Sequence, residues 1–332
     1  MRLLVTGGCG FIGSAFVRWV IDEQPDVRVT NLDALTYAGN PANLAGVADR
    51  DNYEFVRGDI RDADVVDDLM SRSDAVVNFA AETHVDRSID GPAPFLSTNV
   101  VGAGVIFDAA RRHGVERVLH ISTDEVYGSI DIGSFQEDDP LRPSSPYSAS
   151  KAGADLLARS WADTYDHPIS VTRTTNNYGP HHYPEKVIPL FITNLLEGLP
   201  LPVYGDGGNV RDWIHVTDNA RAQWLVLTEA PPGSLVNVGA GNEVSNRELA
   251  IRLAAAFGAG EEVIEFVTDR PGHDRRYSVD TSRIRALGWE PTIDFDEGLA
   301  SVIDWYRANE DWWRPLRSTG AGRRRGLDPG SG

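Results

Sequence analysis

Two side chains that could act together as a general base stand close together in the middle of the chain. Tyr147 and Lys151 are four residues apart, so a helix would bring them to one face. A lysine cation beside a phenol lowers the pKa of the phenol and favours the phenolate. We therefore expect this pair to remove the proton of a hydroxyl group, such as that of a sugar.

A second cluster combines a hydroxyl with two adjacent carboxyl groups, Thr123, Asp124 and Glu125, directly after the apolar run 117–122. Ligands of parallel sheets bind outside the carboxyl ends of the strands, and this position favours catalysis over an acidic loop that caps a helix. Burial and mutual repulsion can hold two neighbouring carboxyls in opposite protonation states, as an acid and a base.

Lysine is rare in this chain, since only Lys151 and Lys186 occur among the 31 basic residues. Arginine stays protonated and spreads its charge, whereas lysine can lose its proton or act as a compact point charge. We infer that both lysines have specific roles.

Three glycines, Gly7, Gly10 and Gly13, follow the first apolar run and open a helical pattern. Glycines so placed permit a tight turn, close approach of the backbone to a pyrophosphate, and close packing of helix on strand. The helix N-terminus would face the anion. Asp33 ends the second apolar run, where a carboxylate accepts from ribose hydroxyls and disfavours a 2′-phosphate, so the predicted cofactor is NAD.

Apolar runs and helical patterns alternate through the first half of the chain. The predicted strands are residues 2–6, 27–32, 53–57, 75–79, 117–122 and 169–174. The predicted helices lie near residues 14–22, 62–71, 94–113 and 147–165. This alternation predicts an α/β fold, a Rossmann-type doubly wound parallel sheet with a smaller C-terminal substrate-binding lobe.

The composition of the chain changes after residue 175, where proline and glycine become frequent and the predicted helices and strands become short. We expect residues 1–175 to form the NAD-binding domain with the catalytic residues. Residues 176–316 would form mainly the substrate-binding lobe, with possible returns to the sheet, and residues 317–332, with Arg323, Arg324 and Arg325, a disordered tail.

Composition narrows the classes of partner. The net charge of −18 argues against a nucleic-acid partner, and 41% hydrophobic residues suffice for a large core. No apolar run reaches the ~18 to 20 residues of a membrane span, and the first residues are unlike a signal peptide. The single cysteine, Cys9, fits a reducing cytoplasm, and no metal site is predicted.

Together the glycine turn, Ser-Thr-Asp-Glu-Val-Tyr-Gly and Tyr-x-x-x-Lys resemble the extended short-chain dehydrogenase/reductase superfamily. The Thr-Asp-Glu triplet is similar to that of the dTDP-glucose 4,6-dehydratases within it. The resemblance covers roughly residues 1–316 and continues through residues 80–88, 176–180, 184–189, 204–207, 211–213 and 269–274. Related epimerases usually have small or nonacidic residues where Asp124 and Glu125 stand, and decarboxylases commonly share the Glu but lack the Asp.

The resemblance implies a set of binding residues around the catalytic group Thr123, Asp124, Glu125, Tyr147 and Lys151. The cofactor would contact Gly7, Gly10, Phe11, Ile12, Gly13, Asp33, Leu35, Thr36, Asp59, Ile60, Ala80, Ala81, Thr83, Asn99, Tyr147, Lys151 and Asn177. The substrate, dTDP-glucose, would contact Thr83, His84, Thr123, Asp124, Glu125, Asn176, Glu185, Lys186, Val187, Pro202, Tyr204, Arg211, Asn246, Arg270 and His273.

The resemblance also implies a reaction cycle. Tyr147 would deprotonate the sugar 4-hydroxyl, which Thr123 hydrogen-bonds, while NAD takes the 4-hydrogen as hydride. Glu125 would then remove the C5 proton, and Asp124, kept protonated, would release the 6-hydroxyl as water. Returning the hydride to C6 gives a 4-keto-6-deoxy sugar nucleotide. Helices 94–113 and 147–165 resemble those that pair in homodimers of the family.

Two other functions remain open at the level of the sequence. The same scaffold supports NAD-dependent UDP-sugar epimerases and decarboxylases, although Asp124 argues against both. A non-catalytic NAD-binding module is the other alternative, but such a module would have no need of Tyr147, Lys151 and two carboxyls.

Overall fold

Twelve strands occur in the computed structural model of the protein, which describes residues 1–318. They are β1 (Arg2–Thr6), β2 (Arg28–Asp33), β3 (Tyr53–Arg57), β4 (Ala75–Asn78), β5 (Arg117–Thr123), β6 (Ser170–Thr174), β7 (Asn176–Tyr178), β8 (Leu201–Tyr204), β9 (Val210–His215), β10 (Leu235–Val238), β11 (Glu243–Ser245) and β12 (Ile264–Val267). Seven of them form one parallel sheet in the order β10-β6-β5-β4-β1-β2-β3. Two small sheets, β11-β9-β7 and β12-β8, belong to the smaller lobe.

Twelve helices accompany the strands within the same residues. They are α1 (Phe11–Glu23), α2 (Ala63–Ser71), α3 (Val85–Asp90), α4 (Ala93–Phe95), α5 (Ala103–His113), α6 (Pro146–Tyr165), α7 (Val187–Leu196), α8 (Val216–Glu229), α9 (Asn246–Ala256), α10 (Ser282–Ala286), α11 (Phe295–Ala308) and α12 (Glu310–Ser318). Helices α4 and α5 are the two ends of one continuous helix, whose middle, Leu96–Gly102, is π-helical.

The predicted doubly wound sheet is confirmed by the strand order. The chain runs outward from β1 to β3 and then crosses to the other side of β1 to begin again at β4. This reversal opens a crevice at the carboxyl ends of β1 and β4, where such folds bind their ligands. Apolar side chains of α1 and α8 cover one face of the sheet, and those of α2, α5 and α6 cover the other.

The smaller lobe has a core of its own, built from α7, α9, α11 and the strands β8 and β9, with Trp313 fully buried in it. Strand β10, from the second half of the chain, returns to pair with β6 at the edge of the large sheet. The two halves of the sequence therefore interlock.

The elements predicted in the first half agree with the observed ones to within one residue, apart from the first helix, which starts three residues earlier than predicted. Helix α3 was not predicted. The helix Ala93–His113 is long and apolar enough by length and composition to cross a membrane, and 44% of its most apolar window is buried inside the fold. A core helix passes the same test, so this is weak evidence for a span. Of the predicted disordered tail, residues 317–332, the first two residues instead form the end of α12, and the rest, with its three arginines, lies outside the described residues.

Candidate active site

One cleft lies over the carboxyl ends of the central strands and gathers both catalytic motifs. The glycine turn after β1 and Asp33 at the end of β2 line one part of it. The triplet that follows β5 and the first turns of α6 line another, and the segment 174–187 of the smaller lobe closes the side. The sheet thus brings segments that are distant in sequence together around one cleft.

The glycine turn leaves room only for hydrogen at its critical positions. A Cβ on Gly13 would lie 2.3 Å from the Gly7 carbonyl oxygen, and Gly7 itself has φ +71° beside the backbone of Ala80. Helix α1 begins directly after Gly10, without an acidic residue in its first turn. Its free N–H groups and the dipole suit an anion, so the turn fits the diphosphate of a dinucleotide.

The Asp33 carboxylate is placed for a ribose. It is 8% exposed, lines the cleft, and accepts from the backbone N–H groups of Cys9 at 2.9 Å and Leu35 at 2.8 Å. Burial is the largest influence on its pKa, which is raised, and these two backbone bonds lower it. A carboxylate here would repel a 2′-phosphate, so the residues fit NAD better than NADP.

The Thr-Asp-Glu triplet forms a 3₁₀ turn at the end of β5, capped by its own threonine. The Thr123 hydroxyl donates to Asp124 Oδ1 at 3.1 Å and accepts from the Glu125 N–H at 3.3 Å. The other Asp124 oxygen, Oδ2, is buried without a hydrogen-bond partner among residues 1–318. A buried carboxyl oxygen in that situation favours the neutral acid.

Burial raises the pKa of Asp124 to about 8, and the negative charge of Glu125 adds to this rise, while Arg211 opposes it. Burial also raises the pKa of Glu125, but the three cations Arg270, Arg211 and Lys186 oppose that rise. The two carboxyls therefore sit in different fields. Asp124 is the carboxyl that holds a proton to donate at neutral pH, and Glu125 is the one whose ionisation more cations favour.

Tyr147 and Lys151 lie on the face of α6 that turns toward the triplet. The helix starts with a capping box between Ser145 and Ser148 and has Pro146 in its first turn. Lys151 is 4% exposed, and its ammonium donates to the Ile121 carbonyl at 2.6 Å.

The predicted lowering of the phenol pKa is not seen. Burial raises the pKa of Tyr147 well above its ordinary value, and the charges of Glu125 and Asp124 raise it further, whereas a hydrogen bond with Thr123 lowers it. Burial also lowers the pKa of Lys151 to about 8, against the field of Asp155. The four-residue spacing predicted only the effect of the lysine on the phenol pKa. It gave no sign that two carboxyl groups would act on the same phenol.

A buried ion pair includes the residue one turn after Lys151 on α6, and its carboxylate acts on the pKa of Lys151. Asp155, one further turn along α6, pairs with Arg173 of β6 at 2.8 Å, and both side chains are almost fully buried. Arg173 also donates to the Tyr127 hydroxyl at 2.7 Å. The sequence reasoning did not single out Asp155, although its position four residues after Lys151 was an available signal.

Twenty-two of the predicted site residues line the cleft. They are Gly7, Gly10, Phe11, Ile12, Gly13, Asp33, Thr36, Asp59, Ile60, Ala80, Ala81, Thr83, Thr123, Asp124, Glu125, Tyr147, Lys151, Asn176, Asn177, Glu185, Lys186 and Val187. Lys186 donates to the Thr83 carbonyl at 3.2 Å and so connects the start of α7 with the segment that follows β4.

Several predicted substrate residues form a second group beside the cleft. Asp86 accepts from the Tyr204 hydroxyl at 2.8 Å and from Arg270 at 3.5 Å. His273 pairs with Asp269 at 2.7 Å, and His84 lies 4.0 Å from the Glu185 carboxylate.

Arg211 donates to the Asp274 carbonyl at 3.0 Å and lies over the ring of Tyr277, with 4.1 Å from its guanidinium carbon to the ring centroid. Arg211 and Arg270 of this second group are two of the cations that oppose the rise of the Glu125 pKa.

Four other predicted residues do not line the cleft. Asn99 is buried in the π-helical segment, where it donates to Ser150 at 2.8 Å and to the Glu82 carbonyl at 3.0 Å. Asn246 begins α9, Pro202 lies in β8, and the Leu35 N–H is held by Asp33. The direct contacts predicted for these four stay predictions.

Several cleft residues were not predicted, among them Tyr37, Asn43, Glu82, His182 and Trp312. Tyr37 lies under the guanidinium of Arg87, 3.8 Å from its carbon to the ring centroid. Trp312 lies in α12, the last helix among the described residues, and no sequence pattern connects it with the glycine turn near the start of the sequence.

Several known proteins are similar to this chain over most of its length. The family model described as GDP-mannose 4,6 dehydratase matches residues 4–302. The low-salt glycan biosynthesis protein Agl12 of Haloferax volcanii is 55% identical over 94% of this chain and 100% of its own. A dTDP-glucose 4,6-dehydratase of Streptomyces niveus is 52% identical over 96% of both chains.

A solved structure is equally similar. The dTDP-glucose 4,6-dehydratase DesIV of Streptomyces venezuelae, crystallised with NAD and TYD bound, superposes with a TM-score of 0.93. It is 53% identical, and the match covers 95% of this chain and 100% of that one.

Proposed function

The chain belongs to the family described as GDP-mannose 4,6 dehydratase, and within that family we propose that it converts dTDP-glucose to dTDP-4-keto-6-deoxy-glucose and water, with NAD as an internal hydride carrier. The relatives named dTDP-glucose 4,6-dehydratase match almost the whole chain, which supports this substrate. The similar DesIV structure with NAD bound supports the cofactor.

The observation that carries the proposal is the burial of the Asp124 carboxyl, which is 2% exposed and whose Oδ2 has no hydrogen-bond partner among residues 1–318. A carboxyl with a pKa of about 8 holds its proton at neutral pH. Asp124 accepts a hydrogen bond from the Thr123 hydroxyl, and Thr123 also hydrogen-bonds Tyr147. An epimerase exchanges hydride at one carbon and has no departing hydroxyl to protonate. A dehydratase needs such an acid.

In the first half of the reaction, Tyr147 takes the proton of the sugar 4-hydroxyl, and Thr123 orients that oxygen by a hydrogen bond. Bound NAD supplies the hydride acceptor for C4 and later the hydride donor for C6. The proton on Asp124 removes one of the two negative charges that oppose ionisation of the phenol. The Lys151 ammonium, fixed by the Ile121 carbonyl, keeps a positive charge on the same helix face.

In the second half, the 4-ketone acidifies the neighbouring C5–H. Glu125 removes this proton and later returns it to C5. Burial raises the pKa of Glu125, and the cations Arg270, Arg211 and Lys186 oppose that rise. Asp124 donates its proton to the 6-hydroxyl, which leaves as water. General acid help of this kind typically contributes ~10² to 10⁴-fold in rate.

Cations near the carboxyls would hold the substrate diphosphate. Lys186 is half-buried in the cleft wall, and Arg211 and Arg270 reach the same region from the smaller lobe. Tyr204 and His273 contact one another edge to face at 6.0 Å and offer an aromatic border for the base. The choice of thymine over uracil is part of the proposal.

Product analysis tests the proposal most directly. The purified protein is incubated in parallel with dTDP-glucose and UDP-glucose, and the sugar nucleotides are examined by mass spectrometry and NMR. The expected product has lost one water and carries a 4-keto-6-deoxy sugar, formed faster from dTDP-glucose. A galactose-configured product of unchanged mass would favour the epimerase, and no conversion would favour a binding module.

We also propose that the protein is a homodimer that joins through its long helices. Leu96 and Val101, in the π-helical segment, are 52% and 60% exposed, and Leu156 and Tyr165 on the adjacent α6 are 59% and 50% exposed. Apolar side chains gathered on neighbouring helices suit a subunit interface. Light scattering should give twice the chain mass, and L156D should lower it.

The matched control for that substitution is I132D, because Ile132 is 89% exposed in a loop elsewhere and its replacement should leave the dimer intact. A monomeric parent protein would contradict the proposal.

We place the enzyme in the cytoplasm, since its single cysteine, Cys9, is unpaired, and cell fractionation would test this.

A further inference from the structure

The last described helix, α12, reaches the cofactor end of the cleft. Trp312 lines the same cleft as Gly10 and Phe11, and its indole N–H donates to Asn43 Oδ1 at 3.0 Å. The Asn43 amide in turn donates to the Cys9 carbonyl of the glycine turn at 2.9 Å. Two hydrogen bonds in series therefore connect α12 with the turn that fits a diphosphate.

A second route connects the same helix with the start of α1. His181 packs against Trp312 and Trp305, at 5.5 and 4.5 Å between ring centroids. The next residue, His182, stacks on Phe11 at 4.1 Å, with only 9° between the ring planes. Phe11 is the first residue of α1, whose N-terminus faces the turn.

The conformation of this histidine pair depends on its packing. His181 has φ +66°, a backbone state that a residue with a Cβ adopts only at some cost. The Tyr306 hydroxyl donates to the His182 carbonyl and fixes the segment from α11. Helices α11 and α12 thus hold one side of the cofactor end of the cleft in place.

We propose that Trp312 is a positioning residue for the cofactor: through Asn43 it fixes the glycine turn, and with His181 it supports the ring stack on Phe11, so that bound NAD leaves slowly. This inference rests on the proposed NAD-dependent function, in which the cofactor ends each cycle as it began. An enzyme of that kind gains from retaining NAD, because loss between the two hydride transfers would strand an oxidised sugar.

The test measures NAD itself rather than turnover. The parent protein, W312F and W313F are purified, their NAD content is determined after acid release, and the rate of NAD loss is followed in the presence of an NAD-scavenging enzyme. W312F keeps an aromatic ring but loses the bond to Asn43. We expect roughly two- to ten-fold faster loss of NAD, the equivalent of one neutral hydrogen bond.

W313F is the matched control. Trp313 is the neighbouring residue on α12, and its indole donates to the Tyr306 carbonyl at 2.8 Å, but the ring lies in the core of the smaller lobe. Its replacement should lower the melting temperature without changing the rate of NAD loss. Equal NAD loss from W312F and the parent, or equally fast loss from W313F, would overturn the inference.

N43L provides a second variant that removes both bonds of the series. The Cys9 carbonyl still accepts from the Asn40 N–H at 3.0 Å, so no buried acceptor is left without a partner. We expect N43L to lose NAD at least as fast as W312F, and parental retention would count against the inference. A parent protein that neither carries NAD nor turns over with added NAD would instead refute the proposed function.

Discussion

Replacing Asp124 with asparagine separates dehydration from oxidation. Asparagine keeps the size of the side chain and an oxygen that can accept from Thr123, but it has no acidic proton to give. In the parent protein a pKa of about 8 leaves roughly nine in ten molecules protonated at pH 7. The substitution therefore removes an acid that is present, and the 6-hydroxyl should leave ~10² to 10⁴-fold more slowly.

The first hydride transfer should survive, because Tyr147 and Thr123 remain. Stopped-flow absorbance after mixing D124N with dTDP-glucose should show reduced cofactor building up, and quenched samples should contain a 4-keto sugar that has lost no water. D131N is the control, since Asp131 is an exposed carboxylate on the loop that follows the triplet, and it should behave like the parent. If D124N formed 6-deoxy product at the parental rate, the triplet would not be the dehydration machinery.

The raised pKa of Asp124 also has a consequence for stability. A group whose folded pKa lies above its unfolded value stabilises the fold at low pH, and this contribution is lost as the pH rises through the folded pKa. From 3.8 to about 8 the difference is about four units, which sets a ceiling of roughly 5 kcal/mol above pH 8. Thermal unfolding should show D124N gaining stability over the parent between pH 4 and pH 8, and a constant difference would contradict the buried acid.

Three further predictions concern the base and the cofactor. Y147F should lose nearly all turnover while still binding dTDP-glucose by calorimetry, because the phenol is the proposed base; substantial remaining turnover would show that the base is another residue. K151R should also fail, since Lys151 is 4% exposed and a planar guanidinium does not fit its place against the Ile121 carbonyl; parental rates would argue against a compact charge there. The parent protein should copurify with NAD because of Asp33, and tighter binding of NADP to stripped protein would contradict that role.

Much of the fold could be predicted because it depends on local patterns. The apolar runs of β1 to β6 are short and bounded by glycine or polar residues, so their places were visible in the sequence. Strands that alternate with helices then imply a parallel sheet, whose carboxyl ends bring Gly7, Asp33 and Thr123 together. The π-helical middle of the helix Ala93–His113 left no such signal, because apolar periodicity does not distinguish one local winding from another.

Other parts of the site depend on contacts between distant segments. Trp312 meets Asn43 only because α12 folds back across the larger lobe. The π-helical segment turns Asn99 toward Ser150 and the Glu82 backbone, and its predicted contact with the cofactor stays a prediction. Neither contact follows from composition, periodicity or spacing, since each is set by how separate elements pack.

The pKa of Tyr147 shows most clearly why the chemistry needed the structure. The spacing to Lys151 predicted an acidified phenol, but burial and the charges of Glu125 and Asp124 reverse the direction of the shift. The same burial keeps the proton on Asp124, which removes one of those charges. The proton needed for the departing hydroxyl therefore also makes the phenol easier to ionise, and loss of that proton above pH 8 should weaken both halves of the reaction together.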